Sequence, residues 1–143
     1  MKNENYDQVL SIAKELEAIA AGRRFKCPEC GEWISEAVSE YNEQHDSITC
    51  SHCGADFNSD DTEPVSMYDY FEDCLDITYY ASGRGINDYQ GVRIMIACGG
   101  PNIYVDTKRG TVELYWWTES ATCDLWRDAC DAIDDYFSEL WAC

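Results

Sequence analysis

Four cysteines in this chain are spaced to hold one metal ion. Cys27-Pro28-Glu29-Cys30-Gly31 and Cys50-Ser51-His52-Cys53-Gly54 each read C-x-x-C-G, and 19 residues separate the two pairs. The two-residue gap lets both sulfurs of a pair reach an ion at about 2.3 Å. Two matched pairs at this separation are the pattern of a four-cysteine zinc site. The glycine after each pair lets the chain turn back, so that backbone N–H groups aim at the sulfurs. Four thiolates fill a tetrahedron and leave no position for water, so the expected cofactor is a structural Zn(2+). Iron held by the same four sulfurs is the alternative metal. A thioredoxin-like redox pair needs one C-x-x-C in a βαβ setting. A zinc deaminase needs a further ligand and a catalytic Glu upstream of its Pro-Cys-x-x-Cys. The sequence offers neither context. Phe25 and Phe57 bracket the module and are expected to dock it, while His45 and His52 are expected to face solvent.

Other chemistry is sparse. Neither His lies near a Ser or Cys nucleophile motif. Ser82-Gly83-Arg84-Gly85 is too short for a phosphate-binding loop and lacks its Lys. Cys98-Gly99-Gly100-Pro101 could place a thiol at a turn, but reads as the end of a core strand. Tyr115, Trp116 and Trp117 read as core and sheet surface rather than a stacking platform. A non-enzymatic protein is therefore expected.

Charge narrows the partners. Twenty-eight acidic residues face ten Lys and Arg, a net charge of −18. Four thiolates add four negative charges and the ion adds two positive ones, which takes −18 to about −20. Such a surface repels nucleic acid and anionic membranes, because phosphate binding needs Lys and Arg. It attracts basic protein surfaces and speeds that encounter at low salt. Around the cysteines, Arg23, Arg24 and Lys26 are outnumbered by Glu29, Glu32, Glu36, Glu40, Glu43 and Asp46, so direct nucleic-acid binding by the module is not expected.

Two acidic stretches stand out. Residues 55–80 hold eight acids, among them Asp56, Asp60, Asp61, Glu63, Asp69, Glu72, Asp73 and Asp76, and no Lys or Arg. Near the end, Asp124, Asp128, Asp131, Asp135 and Glu139 recur at helical spacing and share one face. A solvated helix face and a surface shaped for a basic partner are both compatible with such a row. In the second case the carboxylates stand in for a phosphate backbone.

The elements that carry these groups follow from periodicity. Tyr6, Leu10, Ala13, Leu16 and Ala20 predict a helix over 4–21 within an N-terminal segment 1–22, capped by Asn3 or Asn5 and stopped by Gly22. A zinc-ribbon-like module spans 23–57 and an acidic linker 58–63. The remainder, 64–143, is expected as an α+β domain. It opens with a short helix over 64–76, with Pro64 at its first position. Ile77–Ala81 reads as a strand, followed by alternating runs around Val92–Ile96, Ile103–Val105 and Val112–Trp116, with a turn at Lys108-Arg109-Gly110. A helix over 120–141 closes the chain, its apolar stripe built from Leu125, Trp126, Ala129, Cys130, Ile133, Phe137, Leu140 and Trp141. The expected fold class is α+β: an antiparallel β-meander packed by helices, with an inserted four-cysteine module. Residues 1–21 are polar and amphipathic rather than a signal peptide, and no stretch reaches the ~20 apolar residues of a membrane span. A reducing cytoplasm is expected, with Cys74, Cys98, Cys123 and Cys130 as small core residues and Cys143 as a free thiol.

A resemblance adds a partner. The run Val92-Arg93-Ile94-Met95-Ile96-Ala97-Cys98-Gly99-Gly100-Pro101-Asn102-Ile103-Tyr104-Val105-Asp106-Thr107, with Val112-Glu113-Leu114-Tyr115-Trp116-Trp117 and Ala132-Ile133-Asp134-Asp135-Tyr136-Phe137, resembles a small protein family of bacterial mobile elements and phages. It covers roughly the C-terminal half. With the four-cysteine module ahead of it and the strong acidity, the whole chain resembles the zinc-containing anti-CRISPR proteins that inhibit type II-A CRISPR effector nucleases. That resemblance implies a bacterial cytoplasm and a partner rich in positively charged channels for guide and target. The alternative is a zinc-ribbon adaptor of a mobile element, acting in transcription or replication through protein contacts.

Overall fold

A computed structural model describes residues 4–35, 41–42, 47–50, 52–58 and 62–142. The expectations placed on Asn3, Glu36, Glu40, Glu43, His45, Asp46, Ser51, Asp60, Asp61 and Cys143, and on 59–61 of the linker, fall outside these residues. The chain divides into two compact units, one of Met1–Glu17 with Met67–Cys143 and one of Ala18–Ser66. No helix among the described residues is long and apolar enough to cross a membrane.

Helix α1 spans Glu4–Ala20. Its buried face is Val9, Ala13, Leu16 and Ile19. The expected stripe was centred about one position away, on Tyr6 and Leu10; Tyr6 is in fact 45% exposed. The helix ends in a Schellman motif: Gly22 has φ +72°, its N–H donates to Ile19 O, and Arg23 N–H donates to Ala18 O.

The Ala18–Ser66 unit is built of very short strands. β1 (Arg24–Lys26) pairs antiparallel with β2 (Trp33–Ser35). β3 (Tyr41–Asn42), β4 (Ser47–Thr49) and β5 (Asp56–Asn58) form a second antiparallel sheet in that order. Phe25, Cys27, Ile34, Cys50 and Phe57 make its buried cluster, with Ala55 packed against it. The two bracketing phenylalanines are thus this unit's own core. The chain then returns along β1. Val65 N–H donates to Arg24 O at 2.8 Å, Pro64 bridges Phe25, and Thr62 Oγ1 donates to Lys26 O.

The other unit is a five-stranded meander. α2 (Met67–Phe71) leads into β6 (Asp76–Ala81), β7 (Tyr89–Ala97), β8 (Asn102–Asp106), β9 (Thr111–Trp116) and β10 (Glu119–Asp124). Each strand pairs antiparallel with the next. The fold class is therefore the expected one: mixed helix and antiparallel sheet with a four-cysteine cluster. Period-two alternation puts Val92, Ile94, Ile103, Val105, Val112, Leu114, Ala121 and Cys123 in the core. α3 (Arg127–Ala142) adds Ala129, Cys130, Ile133 and Phe137. Phe71 of α2 meets Phe137 edge-on, with ring centroids 5.5 Å apart.

Two expected helices are shorter than their sequence pattern. Pro64 is bridged to β1 instead of opening a helix, and α2 covers only Met67–Phe71. Leu75 N–H donates to Met95 O, so the sheet captures the chain there. The run Ile77-Thr78-Tyr79-Tyr80 has the β-branched and aromatic side chains that favour this outcome. At the C-terminus, 119–124 is strand β10, not helix. Ala121 and Cys123 are buried while Ser120 and Thr122 are exposed, a period of two that the longer helical period of 125–141 masked. Trp126 and Leu140, placed in the apolar stripe by sequence, are 69% and 41% exposed.

Candidate metal centre and acidic surfaces

The two cysteine knuckles are built alike. In the first, Cys27 N–H donates to Glu32 O and Gly31 N–H to Cys27 O, both at 2.9 Å. In the second, Cys50 N–H donates to Ala55 O at 2.8 Å and Gly54 N–H to Cys50 O at 2.9 Å. Gly31 and Gly54 sit at φ +78° and +77°, a left-handed turn that a side chain would strain. These turns bring the four sulfurs together. All lie within 4.8 Å of one another. Cys27 Sγ is 3.6 Å from Cys53 Sγ and Cys30 Sγ is 3.7 Å from Cys50 Sγ. A tetrahedral ion with bonds of about 2.3 Å demands sulfur–sulfur edges of about 3.8 Å, so the donor set fits. His52 contributes its backbone N–H to Cys50 Sγ at 3.4 Å, the N–H-to-sulfur contact expected of a knuckle.

Electrostatics within the cluster point the same way. The Cys30 N–H, with that of Glu29, outweighs burial and pulls Cys27 down to about 7. Cys30 feels the Glu32 N–H, but burial and the three neighbouring sulfurs push it up to about 12. Cys53 moves up as well, since burial and Cys27 and Cys50 outweigh the Ala55 N–H. Four sulfurs this close resist becoming four anions unless a cation sits among them. Cys27 and Cys50 are buried in the phenylalanine cluster, and Cys30 and Cys53 face outward. Bound this way an ion has every tetrahedral position filled by protein.

The acidic candidates separate into distinct places. Asp128, Asp131, Asp135 and Glu139 are all exposed on α3, opposite its buried face. Asp131 is not bare: Arg127 Nε donates to it at 2.9 Å, and Arg127 Nη2 reaches Asp134 at 3.1 Å. Asp124, expected in the same row, is the last residue of β10 and stands off the helix. Asp69 is half-buried on α2. Glu72 and Asp73 are exposed just after it, and Asp76 begins β6, accepting the Ile77 N–H at 3.0 Å. Of the cysteines expected in the core, Cys123 and Cys130 are buried, Cys74 is half-buried and Cys98 is exposed.

Two features were missed by sequence reasoning. On the sheet face away from α3, Arg93 joins Asp106 at 3.1 Å and Glu113 at 3.0 Å, both carboxylates essentially inaccessible. Tyr80 donates to Asp106 at 2.6 Å, Thr111 and Tyr115 donate to Glu113, and the Arg93 guanidinium lies 4.2 Å from the Tyr104 ring centre. The signal is present as polar residues at period two in β7, β8 and β9, at Arg93, Tyr104, Asp106, Thr111 and Glu113. The other is Trp117, 88% exposed at a hairpin tip. Compared with protein-family models, curated proteins and solved structures, the chain finds no match, so its own geometry carries the functional argument.

Proposed function

We propose that this chain is a zinc-stapled, non-enzymatic inhibitor that binds a basic surface of a type II-A CRISPR effector nuclease and blocks its DNA targeting or cleavage. The observation that supports it is the outer face of α3, where Asp128, Asp131, Asp135 and Glu139 lie exposed in one row. Charges in that row rise by roughly 5–6 Å per step. A duplex strand carries one phosphate per about 3.4 Å, so the row is a sparse but rigid anionic track for a groove lined with Lys and Arg. The row is self-repelling by about 0.2–0.5 kcal/mol per adjacent pair. Packing of Ala129, Cys130, Ile133 and Phe137 outweighs that and fixes the geometry before any partner arrives. Zinc at Cys27, Cys30, Cys50 and Cys53 has a structural role in this reading.

The test is co-elution with a purified type II-A effector nuclease, with and without guide RNA, alongside a DNA-cleavage assay. A stable complex with lost cleavage is expected. Charge reversal at Asp128, Asp131 and Asp135 should weaken the complex and flatten its salt dependence. Full cleavage and no complex under every condition would rule the reading out in favour of a mobile-element adaptor.

A further inference from the structure

The meander sorts charge between its two ends. One end carries the β6–β7 connection, the β8–β9 turn and the start of α3, and is mixed: Arg84, Lys108, Arg109 and Arg127 stand there with Asp88, Asp124 and Asp128. The opposite end carries the segment leading into β6, the β7–β8 connection and the β9–β10 turn. Residues 72–76, 98–101 and 116–119 contain Glu72, Asp73, Asp76 and Glu119 and no Lys or Arg. The first turn of α1 belongs to this end too, since Asn5 Nδ2 donates to Glu119 Oε2 at 3.1 Å; that turn holds Glu4 and Asp7.

At one edge of the acidic end, where β9 and β10 lie on the side of the sheet away from β6, stands an aromatic projection. Trp116 and Glu119 pair across a two-residue turn of Trp117 and Thr118. Trp117 has φ +54° and is the one non-glycine residue at positive φ among the described residues. Glycine is the residue such a tight hairpin position favours. A bulky side chain there is strained, and an indole 88% exposed buries little of itself in its own fold. Trp116 braces it edge-on, with ring centroids 5.9 Å apart, and itself lies over Gly100. Tyr115 and Leu75, 40% and 54% exposed, extend the apolar surface at this end. Neither stability nor solubility accounts for two unfavourable features on one residue. A buried tryptophan anchor in a partner accounts for both.

The rim decides which partner. A second copy of this chain would bring a like-charged rim against this one, and juxtaposed like charges disfavour such a face. A nucleic acid is repelled for the same reason. What fits is a protein surface with an apolar pocket ringed by Lys and Arg.

We propose that the Trp117 end of the meander docks on the effector nuclease, with Trp117 seated in an apolar pocket, Glu119 meeting the basic rim beside it, and Glu72, Asp73 and Asp76 meeting basic residues farther along, at the β6 edge. This rests on the inhibitor reading above and adds to the acidic row of α3 an apolar anchor at the hairpin. The measurement is the affinity of the full-length protein for the guide-loaded and guide-free effector, for the native chain, Trp117→Gly and Trp126→Ala. Melting curves and sedimentation of each protein alone accompany it. Trp126, 69% exposed, is a control that follows β10 at the opposite, mixed-charge end. Trp117→Gly relieves the positive φ, so its melting midpoint should be unchanged or higher. Its affinity should fall at least tenfold, the scale of a tryptophan anchor, with Trp126→Ala within about twofold of native. If the native chain binds and Trp117→Gly loses less than tenfold, or Trp126→Ala loses as much, the docking site is elsewhere and the inhibitor reading survives. A native chain that binds neither form of the effector overturns both. Self-association lost in Trp117→Gly would make the occupant a second copy, against this proposal.

Discussion

The two units of this chain are held together by different physics. Among the described residues of the Ala18–Ser66 unit, strands of two or three residues surround a buried cluster of five, two of which are cysteines. So little apolar surface cannot offset the entropy of ordering the chain, and small domains of this kind depend on a staple. The meander unit has five paired strands, a buried face of alternating aliphatic residues and an amphipathic helix against it. It meets the requirement for an apolar core without a metal. One unit gathers four cysteines that could hold an ion; the other must satisfy the charges it buries.

Removing the metal should break the comparison most sharply. Structural zinc contributes about 10–16 kcal/mol of apparent binding free energy at neutral pH. With a strong chelator, or in Cys27→Ser or Cys50→Ser, amide protection at Cys27, Gly31, Cys50 and Gly54 should disappear. Protection in β7, β8 and β9 should persist. Hydrogen exchange read by mass spectrometry separates the two. Protection that survives in the knuckles without metal would mean the phenylalanine cluster suffices, and the distinction between the units would be lost.

That contrast was unevenly legible in the sequence. The four-cysteine cluster was readable, because C-x-x-C-G twice over is a local code: spacing sets the sulfurs and glycine sets the turn. The strands β7 to β9 were readable for the same reason, since alternation is local. The C-terminal boundary between β10 and α3 was not. Leu125, Ala129, Cys130, Ile133 and Phe137 keep a helical period that continues backward through Ala121 and Thr122, and only pairing with β9 forces those residues into a strand. The helix over 64–76 was overread in the same way. Pro64 looks like a helix start until the bridge to Phe25 is seen. The Arg93 network was invisible because it is assembled from three strands. Nothing local says that a strand glutamate is 3% exposed.

That network is the meander's own weak point and ranks second in expected effect. Arg93→Met leaves Asp106 and Glu113 facing one another in a site closed to water. Stranding buried charges in this way typically costs about 3–5 kcal/mol. Arg109, 4.0 Å from Asp106 and 3.8 Å from Glu113, offsets part of the loss from its exposed position. A triple variant with Asp106→Asn and Glu113→Gln should recover most of the stability, because no charge is then left uncompensated. Urea unfolding of the single and triple variants measures this. Equal loss in both would assign the effect to packing of the Arg93 stem over Tyr104.

Acid should act on the same group more gently. Burial pushes Glu113 up, but the hydrogen bonds from Arg93, Tyr115 and Thr111 together outweigh it, and its carboxyl is held below the ordinary value. The folded chain therefore binds this proton less readily than the unfolded chain does. The resulting stabilisation is fully present above the unfolded carboxyl value of ~4.3 and fades as pH falls through the lower folded one. Glu113→Gln lacks this contribution at every pH. It should be less stable than the native chain at pH 7, and the gap should close as pH falls below ~4.3 and on through the lowered native value, where the folded carboxyl takes up its proton. Urea midpoints of the meander unit at several pH values trace the two curves. A gap that stays constant down to pH 3 would mean the charge on Glu113 contributes nothing. The network would then hold the sheet by shape and neutral hydrogen bonds alone, which would make the two units less different than their composition suggests.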